Sequence, residues 1–590
     1  FNRDGIITAV SDICPGSNTF QATLYNDGFD TIKTAVVDWI LNNSTHKSGK
    51  FSGSLAPGSS TVVTLGVATA LSGNNDLLVV CDSVNGKTDQ NRKDTLKLSK
   101  SPGLSGKYTV GGSSPDYTSP SAAIADLTSR GVCGAVTFEI ANGSYSGSLY
   151  IPSITGASKT NTITFEGQDS SRTIITHSGG AFEHTINMDG AKWINFKDLK
   201  LQNTRSSDAW VCRLYNKCDN INFNNCWIST STSGTNDLIG IVASASSTTE
   251  NTAGDNVNNL LVDQCRFSGG ERGLEVLGDA SQYATGNEVT NCIFDDISYA
   301  GIYFRYQSNL TISENSMKSF RSSGSDVVLL YNVNNFLIEK NDITSRDYGV
   351  YISDGNIGGS GKSKIQNNMI SAGDHGLYLN TGRSIVLYHN TIVGDPALRF
   401  NNHQNIEVVN NILYGNSGYA VFSPADDGFD VLNWNQYYST NTNKFLFDNT
   451  NFTSLSSWQT SFSLLNINSI EKQPVIVSTS NLYLRTAAQA ERAPSIGIKK
   501  DIDSEDRCDI AVSIGADESK YADAKPKARF SLADSSYEDA LVSAVHNNGS
   551  AIEAYAWYVD GKRVDSASAT LNHRFATSGR HKITLYAYNC

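Results

Sequence analysis

Asp374 and His375, within the tetrapeptide Gly373-Asp374-His375-Gly376, form the pair best suited to acid–base work in this sequence. A carboxylate beside an imidazole can hold or take a proton near neutrality, although Asp-His before a strand also serves as a capping turn. An acid hydrolase needs two or three carboxylates on adjacent turns of one face, one protonated and one ionised. The repeat described below places Glu275 on such a face, with Asp347 and Asp354 in loops beside it. A lyase acting on uronates needs a Lys or Arg base and a positive charge on the substrate carboxylate. Arg305 and Arg399 share the face but fall four coils apart, about 20 Å at strand spacing, too far to act on one bond. Aspartates in Asp501-x-Asp503-x-x-Asp506 and Asp426-Asp427 would suit Ca2+, and no other cofactor is expected.

The face also suggests binding. Tyr303, Tyr331, Tyr351 and Tyr378 recur with Arg305, Arg399, Asn380 and Asn401 among them. Rings in a row can stack on successive sugars while amides and guanidiniums bond hydroxyls or carboxylates. The same rings on neighbouring strands also stabilise an exposed sheet by roughly 0.2–1 kcal/mol a pair.

These residues are positioned by a repeat. Its unit is apolar-x-x-Asn/Cys-x-apolar, with Cys226, Cys265, Cys292, Asn315, Asn341, Asn368, Asn390 and Asn411 at the fourth place, in steps of 39, 27, 23, 26, 27, 22 and 21 residues. Short steps without helical periodicity predict a right-handed parallel β-helix, in which the fourth place becomes a buried column. Asn suits the column because its amide can bond the next rung and tolerates the left-handed turn; the cysteines are expected as small buried structural thiols. Before each unit comes a five-residue strand, such as Gly301-Ile302-Tyr303-Phe304-Arg305, whose second and fourth residues are apolar. Period-two alternation turns these inward and sends Glu275, Tyr303, Leu329, Tyr351, Tyr378, Arg399 and Phe422 outward in one column, with Arg305, Tyr331, Ser353, Asn380 and Asn401 beside it.

Composition agrees with an all-β chain. Of 590 residues, 18% are charged, with Gly 49, Tyr 26, Phe 23 and Met 3. The net charge of −12 argues against a nucleic-acid partner, and no apolar run is long enough to span a membrane. Residues 1–103 alternate short apolar runs with turns and predict a β-sandwich; 104–522 carry the repeat; 523–590 read as a second small sandwich. Residues 501–518 read as a closing loop and last rung. Cys14 and Cys81 lie near the first and penultimate strands of the first sandwich, as a disulfide in an oxidising compartment or as two buried thiols. The chain begins at Phe1 and stops at Cys590 directly after a strand, so a piece of a longer protein is expected.

Three regions resemble surface proteins of Bacteroidota, many of them exported by type IX secretion. The stretch from Tyr108-Thr-Val-Gly-Gly to Tyr117, Ser129-Arg-Gly-Val-Cys-Gly, and Ser513-Ile-Gly-Ala-Asp-Glu518 resemble the start and end of their β-helix regions. Cys14-Pro-Gly-Ser-Asn-Thr-Phe20 and Gly53-Ser-Leu-Ala-Pro-Gly58 resemble CARDB-type adhesion sandwiches, and Trp557-x-x-Asp560-Gly561 is similar to PKD-type domains, from which it departs at Tyr558-Val559. The resemblance implies an extracellular or cell-surface location and dealings with secretion or surface-attachment machinery, while the tyrosine face suggests a polysaccharide or cell-surface glycan as partner. It also implies O-glycosylation at Asp-Ser/Thr-apolar sites, here Thr31, Thr95 and Ser566. The expectation from all of this is a non-catalytic spacer and glycan-binding adhesin of the adhesin or gliding-associated kind, with a secreted β-helix polysaccharide lyase or glycoside hydrolase as the alternative.

Overall fold

The structure is a computed structural model that describes all residues outside 1–2, 12, 72, 90–94, 181–183, 233–236, 319–323, 426–427, 486–490, 509–510, 519–527, 533–540, 547–553, 566–568 and 589–590. Ser566, Asp426 and Asp427 therefore lie outside the described residues. Strands dominate, with two short helices among the described residues. The chain divides into two compact units, Phe1–Thr176 with Ile186–Lys200 and Cys218–Asn222, and the remainder.

In the first unit, Gly5–Val10, Gly16–Asn26 and Ser60–Ala70 form one antiparallel sheet, and Thr45–Leu55, Ile32–Leu41 and Asn75–Val84 the centre of a second. Alternate residues of both meet in one core around Phe20 and Trp39, whose rings lie 4.9 Å apart. From Leu104 the pairing turns parallel: Leu104–Val110, Val132–Ile140, Ile163–Gly167 and Lys192–Lys197 lie side by side. Phe138, Phe165 and Phe196 stack inside at 5.1 and 5.5 Å. The sequence reading missed the helix Pro120–Arg130, which Ser119 caps and which buries Ala123, Ile124 and Leu127.

The Cys14–Cys81 pairing is corrected. Cys14 is bonded to Cys133, at a Cα separation of 5.5 Å. Cys81 points into the sheet core, so close to Gly5 that a Cβ there would meet its Sγ at 2.8 Å. Cys14 instead lies on the chain segment that meets Gly103, whose N–H donates to Ile13 O, next to Cys133.

In the second unit, strands of successive coils pair in parallel and in register, as in Ala300–Ser308, Val328–Asn334, Val350–Gly355, Leu377–Tyr388 and Leu398–Val409. A second series, running Arg266–Ser268, Ile293–Asp295, Ser316–Met317, Asp342–Thr344 and Met369–Ser371, closes another side. Ile302, Phe304, Val328, Leu330, Val350, Ile352, Leu377 and Leu379 are fully buried, as the alternation requires.

The fourth-place column forms. Asn341 Oδ1 accepts from both the N–H and Nδ2 of Asn315, at 3.1 and 2.9 Å. Asn341 Nδ2 donates to Asn368 Oδ1, Ile312 O and Glu339 O. Asn368, Asn390 and Asn411 repeat the pattern. The thiols imitate it: Cys265 Sγ faces Phe223 O and Asp263 O, the two carbonyls an amide would bond there, and Cys226 N–H donates to it at 3.4 Å. The column runs on to Asn435, which Leu432-x-x-Asn435-x-Tyr437 would have revealed, and then to Ser469. Left-handed backbone falls one residue earlier than expected, at Glu314, Lys340, Asn367, His389 and Asn410, with φ of 58°, 54°, 55°, 54° and 61°. That residue makes the corner, and the ladder residue after it turns inward.

Residues 501–518, expected as a closing loop and last rung, do not form a rung. Arg492–Pro494 and Ala511–Ser513 pair antiparallel, and the segment returns along the coils. Gly515 N–H donates to Asn410 O, Ala516 N–H to Thr391 Oγ1, and the buried Arg507 guanidinium to Asn367 Oδ1, Gly515 O and Ala516 O. Towards the C-terminus, two three-stranded antiparallel sheets enclose Ala544, Trp557, Val559, Leu571 and Leu585.

Candidate functional site

Strand register places Glu275, Tyr303, Leu329, Tyr351, Tyr378, Arg399 and Phe422 in one outward column of the second unit. The column is less exposed than expected: Glu275, Leu329 and Tyr378 are buried, because neighbouring rings and the loops entering each strand lean across it. Tyr331 contacts Tyr303 at 5.4 Å and Tyr351 at 5.5 Å, bridging the rung where Leu329 supplies no ring. Tyr351 meets Tyr378 edge-on at 5.2 Å, and Arg399 lies over Tyr378 and Phe422 at 4.6 and 5.0 Å. Beside them Asn401 Nδ2 donates to Tyr378 Oη and Asn380 Oδ1, at 2.5 and 2.8 Å. Arg305 lies against Tyr306 and donates to its hydroxyl at 3.0 Å. All eight residues expected to bind ligand thus belong to one face. At its edge a cavity of about 310 Å3 is lined by Asn401, Thr381, Arg383 and His403 among others.

Acids gather along the loop edge of this face. Asp326, Asp347 and Asp374 stand just before three consecutive strands. Burial lifts the Asp326 carboxyl to about 6, the charge of Asp347 adds to the rise, and the Tyr348 N–H, 3.3 Å away, opposes it. Asp347 is raised by burial and then by the adjoining Asp374 carboxylate, to which it hydrogen-bonds. A rung away from Tyr303, burial pushes Glu275 up to about 7 although Arg272 donates to it at 2.6 Å. Arg272 also lies 3.5 Å from Glu250 and 3.1 Å from Glu271.

His375 sits in this group with its roles fixed by neighbours. Arg399 Nη1 lies 2.7 Å from Nε2; a guanidinium can only donate, so Nε2 accepts and the ring is neutral with its proton on Nδ1. Nδ1 stands 2.7 Å from Asp374 Oδ1, at a poor hydrogen-bonding angle. Burial and the Arg399 charge hold the imidazole below its usual range, against the pull of Asp374. The ring's basic nitrogen is therefore occupied, and Asp374 is the member of the pair left open to solvent. Asp326 and Tyr348 were not singled out from sequence. The signal was an aspartate recurring two or three residues before successive strands.

The metal-suited group differs from the expected one. Asp501, Asp503 and Asp517 each bring a carboxylate oxygen within 4.8 Å of the others, while Asp506 is exposed and pairs with Lys500 at 2.7 Å. Burial raises Asp517 to about 6, and the Asp501 carboxylate accepts the N–H groups of Glu505 and Glu518. Thr31 and Thr95 are partly exposed.

Residues 254–445 match the family model of the right handed beta helix region. No curated protein sequence matches the chain significantly. Among solved structures, the catalytic domain of a GH87 α-1,3-glucanase in complex with nigerose is similar at 11% identity and a TM-score of 0.35, over 80% of this chain and 92% of that one. A PL6 family polysaccharide lyase from Pseudopedobacter saltans is similar at 13% and 0.32, over 65% and 95%. The pectin methylesterase from Aspergillus niger is similar at 13% and 0.24, over 65% and 96%. The expectation of a non-catalytic spacer and adhesin is corrected on the face itself, where Asp326 joins Asp347 and Asp374 in one cluster of interacting acids; the likeness to the solved structures is one of fold. What is shown of family is a right-handed β-helix region within an all-β chain.

Proposed function

We propose that the tyrosine face is the active site of a β-helix enzyme that cleaves polysaccharides, with hydrolysis as the chemistry its acids support best. The observation that carries this is the set of aspartates from three successive coils, Asp326, Asp347 and Asp374, the first held near pKa 6. A carboxyl that keeps its proton in mildly acidic solution can protonate a glycosidic oxygen as the bond breaks. Asp347, raised by burial and by the charge of Asp374, adjoins that more exposed carboxylate, and an ionised carboxylate there would draw a proton from the attacking water. Two coils separate Asp326 from Asp374, about 10 Å at strand spacing, near the roughly 6.5–9.5 Å that leaves room for a water and inverts the anomeric carbon. Tyr331 and Tyr351 would carry the sugar rings, with Tyr378 buried beneath as their support, and Asn380 and Asn401 would bond hydroxyls.

Export to an oxidising compartment belongs to the same proposal, supported by the Cys14–Cys133 bond. Residues 1–103 and 523–590 are read with it as flanking CARDB-like and PKD-like sandwiches, supported by paired antiparallel sheets around each core. Incubation with a panel of neutral and acidic polysaccharides tests the activity. New reducing ends without ultraviolet absorbance mark hydrolysis, absorbing unsaturated ends mark elimination, and no product from any polymer sinks the proposal.

A further inference from the structure

We propose that the polysaccharide taken by this face is a polyuronate, whose carboxylates dock on Arg305 and Arg399 at the two ends of the tyrosine floor. This rests on reading the face as a polysaccharide site. The chain has 58 acidic residues to 46 basic ones, and three other half-buried or buried arginines are matched to carboxylates: Arg272 to three glutamates, Arg492 and Arg507 to Glu518. Among the described residues no carboxylate lies within ion-pair distance of Arg305 or Arg399. Each is turned against an aromatic ring, Tyr306 in one case, Tyr378 and Phe422 in the other; the unbonded buried Nε that each keeps is shared with Arg272 and Arg507, so the distinction lies in the missing carboxylate. A guanidinium drawn partly out of water without an anion is costly, and its planar fork fits a carboxylate at two points.

Spacing supports the assignment. Arg305 lies on the first of five successive strands and Arg399 on the fifth, about 19 Å apart at about 4.8 Å a rung. Asp326, Asp347 and Asp374 belong to the three rungs between. A polyuronate laid along the face would therefore place charges on the guanidiniums at its ends and the bond to be cut among the acids in the middle.

The test uses full-length D326N protein, so that cleavage does not obscure binding, run by affinity electrophoresis in gels holding polygalacturonate, alginate or hyaluronate, each beside its carboxyl-reduced neutral counterpart. At least one acidic polymer should retard the protein, carboxyl reduction should abolish the effect, and added R305Q or R399Q should each weaken binding about tenfold with an unchanged unfolding midpoint. The inference is overturned if no acidic polymer retards the protein more than its reduced form, or if both arginine variants bind as their parent does. Equal retardation by dextran sulfate also overturns it, since that would be attraction to any polyanion. Product release by the unsubstituted protein is measured separately. Cleavage of neutral polymers alone would remove the polyuronate and leave the hydrolase, whereas retention by polyuronates without cleavage would do the reverse.

Discussion

The corner column and the tyrosine face are built by the same coils, a few residues apart, and they treat polar groups in opposite ways. In the ladder Asn315, Asn341, Asn368, Asn390 and Asn411 each give and receive hydrogen bonds along the stack. On the face, burial without full pairing leaves carboxyls raised to about 6 and about 7 at Asp326 and Glu275, and guanidinium nitrogens of Arg305 and Arg399 unbonded. Completed hydrogen bonding supports the ladder, whereas on the face burial is only partly compensated and shows as raised carboxyls. The difference separates the ladder from the tyrosine face more sharply than residue type does, since Asn appears in both.

Substitutions should divide along the same line. The largest effect is expected from D326N, which should lower the rate of polysaccharide cleavage about a hundred- to ten-thousandfold with little change in the urea unfolding midpoint; an equal loss of stability would break the division. N341A should do the opposite. It strands the Asn315 N–H and amide in a dry corner, at about 3–5 kcal/mol, read as a lower urea midpoint. C265A should cost less, about 1–2 kcal/mol, because a thiol makes weaker bonds to the same carbonyls.

Next in size is a pH effect at Glu275. Its carboxyl moves from 4.5 to about 7 on folding, so across that window the folded chain keeps a proton that the unfolded chain has released. Stability should then fall as pH rises from about 4.5 to 7, with the whole penalty present above 7 and none below 4.5. E275Q should flatten this part of the profile by about 1–3 kcal/mol, measured as unfolding midpoint against pH, and an unchanged slope would assign it elsewhere. Asp326 acts in the same direction, and activity should decline above about pH 6 as it loses its proton. The smallest effect is expected from Y351A, which should weaken polysaccharide binding by about 1 kcal/mol and leave the rate at saturation nearly unchanged.

Much of the scaffold was legible because it obeys two periods. Alternation of two sorted Ile302 and Phe304 inward from Tyr303 and Arg305, and the recurrent Asn or Cys marked a corner that admits few side chains. Asn435 was missed only because the unit was not followed past Asn411. The site was less legible. Asp347, Asp374 and His375 were noticed as loop residues and the aspartate before each strand was a signal for Asp326, but loops follow neither period, so nothing in sequence said that Tyr348 leans over the same face or that Arg399 caps the imidazole. The Cys14–Cys133 bond escaped for a related reason: it ties together chain segments 119 residues apart, and pairing within one predicted sandwich looked nearer.

The corner column has one more implication. Each asparagine reaches no further than its own coil and the coils next to it, and it does so at steps of 21 or 27 residues alike. Loops can therefore lengthen and change without disturbing the stack, while a whole coil can be duplicated or deleted at little structural risk. The number of sugars the tyrosine face could engage is in that sense a count of coils, which gene duplication could alter one step at a time.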